Sequence, residues 1–178
     1  MFRFLAIFAV CVISVAAKAS GWVEIFDDDE VVVSVNTVDL KKQRLKGFNS
    51  IGAWMKTTYK TPMPIDGIAN GKPIAKFLSM NWYQCQNRKA SDSVEVAFYG
   101  TKGEFLDSYS EETSLVDFRH VAPDTIESNI QTVVCVVDLS NQIDTKKMNG
   151  GMSDYYYRQL KLEYPYEFKL LKDYKDNQ

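Results

Sequence analysis

Histidine is nearly absent from this sequence: there is one, His120, in 178 residues. Any Ser-His-Asp or Cys-His chemistry therefore has a single candidate base, with Asp117 as its orienter, and no nucleophile-elbow motif accompanies it. A surface histidine is the plainer reading. Cysteine is scarce too, with Cys11, Cys85 and Cys135 and no C-x-x-C pair. That removes a thiol-redox motif, and a metal site on Cys85 and Cys135 needs two more soft ligands where only His120 exists. Basic residues are not in excess, with 21 Lys and Arg against 23 Asp and Glu. This argues against a nucleic-acid footprint, which requires a basic face.

Long apolar runs are also missing, apart from one at the start. The chain opens MFRFLAIFAVCVISVAAKAS: Arg3, an apolar stretch from Phe4 to Ala17, then the A-x-A pattern Ala17-Lys18-Ala19. The stretch is too short to span a bilayer and predicts a secretory signal peptide over residues 1–19, cut after Ala19. Cys11 follows Phe8-Ala9-Val10 and not a lipobox, so no lipid anchor is expected. The mature chain then starts near Ser20 as a soluble, exported protein, periplasmic or released to the cell surface, with a charge of about −4. Two cysteines remain, and in an oxidising compartment an even pair reads as a disulfide. A Cys85–Cys135 bridge closes a loop of about fifty residues, a constraint of about 4 kcal/mol on the chain-entropy model.

Alternating apolar patterns follow one another along the mature chain. GWVEIF (21–26), the acidic turn DDDE (27–30) and the Val-rich VVVSVNTVDL (31–40) read as a hairpin. KKQRLKG (41–47) reads as a charged, exposed connection. FNSIGAWMKTTYK (48–60) is a third strand, ended by the Pro- and Gly-rich TPMPIDGIANGKP (61–73). FLSMNWYQC (77–85) has no polar face and reads as a central strand covered on both sides. NRKASDS makes a turn, SVEVAFYG (93–100) is a fifth strand, and TKGEF turns again. The period then changes. Ile126, Ile130, Val133, Val134 and Val137 form a helical stripe within residues 122–138, with Pro123 before it and Asp124 and Glu127 in capping-box spacing. Cys135 lies beside that stripe, so the disulfide would pin helix to sheet. The fold class is α+β: an antiparallel sheet of about five to six strands with one long helix on one face.

The domain spans residues 20–138 on this reading, and 139–178 is a mobile linker (139–153) with an aromatic, charged tail split by Pro165. The tail supplies either an edge strand (YYYRQLKLEY) or a short amphipathic helix (EFKLLKDY). Tyr155, Tyr156, Tyr157, Tyr164, Tyr166 and Phe168, with Tyr174 further on, are the candidate partner-binding residues, because aromatic rings with polar tips suit protein interfaces. Docking of these rings on the protein's own sheet, as an extra edge strand, is the plainer reading, because edge strands need covering. Asp27, Asp28, Asp29 and Glu30 lack the alternate spacing and glycine of a calcium loop. Glu104, Asp107, Glu111 and Glu112 offer acids for a glycosidase but no cleft to hold them apart. No catalytic residue, metal or cofactor is assigned.

The order of these features resembles the surface-adhesin protein E-like family of small exported bacterial proteins. The resemblance rests on Trp22 near the mature start, Asp39 at a strand end and Ala53-Trp54-Met55 within a strand. It continues with Cys85, Phe98-Tyr99, the proline-led Pro123-Asp124-Thr125 and the closing Cys135. It covers residues 22 to 138 and implies a helix-to-sheet disulfide and a non-enzymatic protein that adheres to host matrix or serum proteins. The missing lipobox leaves a periplasmic structural or accessory role in an envelope complex as the alternative.

Overall fold

A computed structural model describes residues 21–148 and 153–169. The expected signal peptide, residues 149–152 and Tyr174 lie outside the described residues. Nine strands in this part of the chain form one antiparallel sheet. They are β1 (Trp22–Asp27), β2 (Val31–Asn36), β3 (Lys41–Leu45), β4 (Phe48–Met63), β5 (Ile74–Gln84), β6 (Lys89–Ser91), β7 (Glu95–Tyr99), β8 (Phe105–Ser110) and β9 (Phe118–His120). Two helices follow, α1 (Ile126–Met148) and α2 (Asp154–Glu163).

The sheet forks on a two-strand spine, β4 and β5. One half of β4 (Met55 to Tyr59) pairs with β2, and its other half (Phe48 to Gly52) pairs with β3. Likewise β5 pairs with β7 through Lys76 to Met80 and with β6 through Tyr83 and Gln84. β1 lies outside β2, β8 outside β7, and β9 outside β6. The central, two-sided character expected for residues 77–85 follows from these neighbours, although β5 stops at Gln84, one residue before the cysteine.

Several segments read as connections are strands. KKQRL is β3, joined to β4 by the two-residue turn Lys46-Gly47, both at positive φ as a type I′ hairpin requires. The turn NRKASDS contains β6, and β8 and β9 enlarge the sheet beyond the five or six strands expected. β4 runs on through Pro62 to Met63. Pro62 is tolerated because it sits in the irregular step between Thr58 and Met63, beyond the reach of β2. The acidic turn is held by Asp28, whose carboxylate accepts the N–H groups of Glu30 and Val31 at 2.8 Å. Those two bonds favour the ionised form and lower its pKa.

Helix α1 lies across one face. Its cap is Thr125, whose Oγ1 accepts the N–H of Ser128 at 3.1 Å. The expected cap, Asp124, instead stands at φ +58° outside the helix, and Glu127 turns away to pair with Arg119 at 2.9 Å. Ile130, Val134, Cys135 and Leu139 are buried against Val33, Val35, Ile51, Ala53 and Tyr83 of the sheet, while Ile126 is left partly exposed. Cys85 and Cys135 are bonded, with Cα atoms 5.8 Å apart. Gln131 adds a polar pin, its Nε2 donating to the Lys89 carbonyl at 3.1 Å. The helix continues to Met148, so residues 139–148 are not a linker. Leu139 and Ile143 extend the same stripe by one residue in four. A second core on the opposite face joins Leu45, Met80, Trp82, Val94 and Val116.

The tail forms no edge strand. Ser153 caps α2 by accepting the N–H of Tyr156, and Tyr156, Leu160 and Tyr164 recur at four-residue spacing on the side that joins the main core. The helical φ/ψ run breaks at Tyr164, and residues 165–169 form a further helical turn that starts at Pro165, where a missing N–H costs nothing.

Candidate functional site

Where α2 meets α1 and the β3–β4 hairpin, the surface folds into a cleft of about 410 Å3. β3 contributes Lys42, Gln43 and Arg44, and β4 contributes Asn49 and Ile51. Cys85 and Gln86 lie at the end of β5, Asp138 and Gln142 come from α1, and Glu163 and Tyr164 from the end of α2. This volume lies within the range of ligand-binding clefts.

Asp138 organises the cleft. Its side chain is 2% exposed, and Lys42 reaches Oδ1 at 2.6 Å. Oδ2 accepts Gln142 Nε2 at 2.9 Å and the hydroxyl of Tyr164. Burial and the facing Asp138 charge raise the Tyr164 pKa, so the phenol stays a donor. The Tyr156 hydroxyl donates to Gln142 Oε1 at 3.1 Å, and Asn49 Nδ2 donates to Glu163 Oε1 at 2.9 Å. One buried carboxylate thus fastens α1 to the β3 strand and to the tail helix. Both of its oxygens are engaged, so the group positions its neighbours.

The six aromatic candidates separate into two sets. Tyr156 and Tyr164 are engaged internally, and Phe168 packs against the main core, edge-on to Tyr157 with ring centres 5.3 Å apart. Tyr155 (73% exposed), Tyr157 and Tyr166 face solvent, joined by Leu162 (62% exposed), which the sequence reading did not single out. Tyr166 also lies under the Arg88 guanidinium at 5.0 Å. Tyr155 and Leu162 lie at i and i+7 on α2, a spacing visible in the sequence once a helix is assigned, and Tyr166 follows the break at Tyr164 on the next helical turn.

The other candidates do not converge. His120 is exposed on β9 opposite Lys89, while Asp117 takes Lys46 at 3.1 Å. Asp27 pairs with Lys60, Glu104 accepts the N–H of Lys102, and Asp107 accepts the N–H of Ala69. Among the described residues no group of three or more His, Cys, Asp or Glu side chains is placed to hold a metal ion, and no helix is long and apolar enough to cross a membrane.

No curated protein and no solved structure matches the chain. The family model for surface-adhesin protein E matches residues 22–136, the stretch that carries the whole sheet, the disulfide and the first half of α1. The chain belongs to the surface-adhesin protein E family.

Proposed function

We propose that the chain is an exported, non-enzymatic binding protein of adhesin type that engages a host matrix or serum protein. Its contact surface is the solvent side of the tail helix. The observation that carries this reading is the division of the tail aromatics: one set anchors α2 in the core, which leaves Tyr155 and Leu162 outward on one face of the helix, with Tyr157 and Tyr166 half exposed beside it. Exposed aromatic clusters on ordered elements are the surfaces from which binding hot spots are built. The signal peptide would place the mature chain outside the cytoplasm, where the disulfide persists.

The test combines location with affinity. Intact producing cells should lose the protein to added protease, and purified protein should bind within a panel of immobilised matrix and serum proteins. Replacing Tyr155 and Leu162 together by serine should weaken that binding about tenfold or more with an unchanged melting temperature. Binding that survives the double change in a folded protein removes the helix as the interface. Retention in osmotic-shock fluid, with capture of an envelope protein, would establish the accessory reading instead.

A further inference from the structure

The open edge of β3 goes beyond that reading. β3 and β4 are joined by a two-residue turn, so the closing pair Leu45 and Phe48 exchanges backbone hydrogen bonds. Alternation then makes Gln43–Ser50 and Lys41–Gly52 hydrogen-bonded pairs as well. The N–H and C=O groups of Lys42 and Arg44 consequently point away from β4. Among the described residues no hydrogen bond reaches them, and Lys41 through Arg44 are exposed. This is an unpaired strand edge, the template that β-augmentation uses.

Two further observations say what fits it. First, the side chains of Lys42 and Arg44 share the α1 face of the sheet, as the pairing with Ile51 and Asn49 requires, and both line the 410 Å3 cleft. Alternate side chains of an added strand would therefore drop into that cleft. Second, the edge is basic although the protein is not. Lys41, Lys42, Arg44 and Lys46 fall within six residues of a chain whose net charge is −2. Lys41 lies over the Trp54 ring at 5.7 Å, Lys42 and Lys46 hold Asp138 and Asp117, and Arg44 is tied only through Nε to the Gly47 carbonyl at 3.2 Å. The Nη groups of Arg44 point to no partner among the described residues. With Lys42 and Lys46 already paired, Lys41 and Arg44 are the two cations of this edge without a carboxylate partner among the described residues, and they disfavour a second β3 and favour an acidic strand.

We infer that the β3 edge is a docking site for an acidic peptide segment in extended conformation, which adds to the sheet as a strand and places alternate side chains in the cleft.

The probe is a labelled peptide of alternating glutamate and valine, with a lysine–valine peptide as control, titrated against the full, disulfide-bonded mature chain by fluorescence anisotropy. The glutamate peptide should bind and the lysine peptide should not. Amide exchange at Lys42 and Arg44 should slow on binding. Arg44→Pro removes one outward N–H without breaking a bond to β4, and should weaken binding about tenfold or more. Arg44→Glu keeps the backbone, reverses the charge, and should weaken binding to a similar degree, so the idea stays testable if the proline variant misfolds. Equal binding of both peptides, or glutamate-peptide binding without slower exchange at Lys42 and Arg44, overturns the inference. So does concentration-dependent dimerisation that slows the same two amides and excludes the peptide, because a second copy then occupies the edge. A folded protein that ignores the peptide but still binds its matrix partner through α2 refutes the edge site alone.

Discussion

Replacing Cys85 and Cys135 together by alanine should destabilise the domain by about 5 kcal/mol. The bridged residues are 50 apart in sequence. Opening a loop of that length returns about 4 kcal/mol of conformational freedom to the unfolded chain on the entropy model. Both cysteines are buried, and the loss of two packed sulfurs adds about 1 kcal/mol. Urea unfolding followed by the fluorescence of Trp22, Trp54 and Trp82 reads this directly. With a slope of about 2 kcal/mol per molar, the midpoint should fall by roughly 2–3 M. The unbridged chain should also give a steeper slope, because its denatured state is more expanded. The native protein in reductant separates the two contributions, since free thiols leave the packing nearly intact and remove only the tether. If the reduced protein unfolds within about 0.5 M of the oxidised one, the tether is not a main constraint and the packing of α1 on the sheet suffices.

Three further outcomes follow from the packing. Tyr164→Phe removes a charge-assisted bond to buried Asp138 and should cost about 2 kcal/mol, read as faster amide exchange in α2 before any change in the sheet. Gly52→Ala brings a methyl group to 3.0–3.2 Å from the Trp82 ring and should cost about 1–3 kcal/mol in thermal unfolding, with a shifted tryptophan emission. Glu167 is buried, and its pKa is raised above 4.5 chiefly by loss of water, with the nearby Arg88 opposing. Its contribution is therefore complete below the unfolded pKa and falls as pH rises through the folded one. Tail docking should weaken from pH 4.5 upward, and Glu167→Gln should flatten that dependence in pH-dependent amide exchange of residues 153–169.

The strands that carry a buried face were legible because alternation reports burial. Val33 and Val35, Ile51 and Ala53, and the two-sided run around Tyr83 all announce the core they enter. β3 left no such mark: KKQRL is exposed on four of its five positions, and an exposed edge strand has the composition of a loop. β6 and β9, three residues each, are too short for any periodicity. The far half of α1 hid behind polar residues, although Leu139 and Ile143 keep the helical spacing. For the tail, aromatic strand propensity in YYYRQL misled, and the spacing of Tyr156, Leu160 and Tyr164 decided. The cleft could not be seen at all, since it joins residues from five separate elements through Asp138. The disulfide was visible because Cys85 and Cys135 are the two cysteines outside the expected signal peptide.

The forked spine has a consequence for how the molecule can diversify. No residue of β7 or β8 enters either buried cluster. That wing is held by ladder hydrogen bonds and by ring contacts such as Phe77 with Phe98 and Tyr99 with Phe105. Its outer turn, at Lys102-Gly103, lies apart from the tether and from the tail clasp. New sequence can be inserted there without disturbing either, so the wing is the natural graft position for an epitope or a second recognition loop.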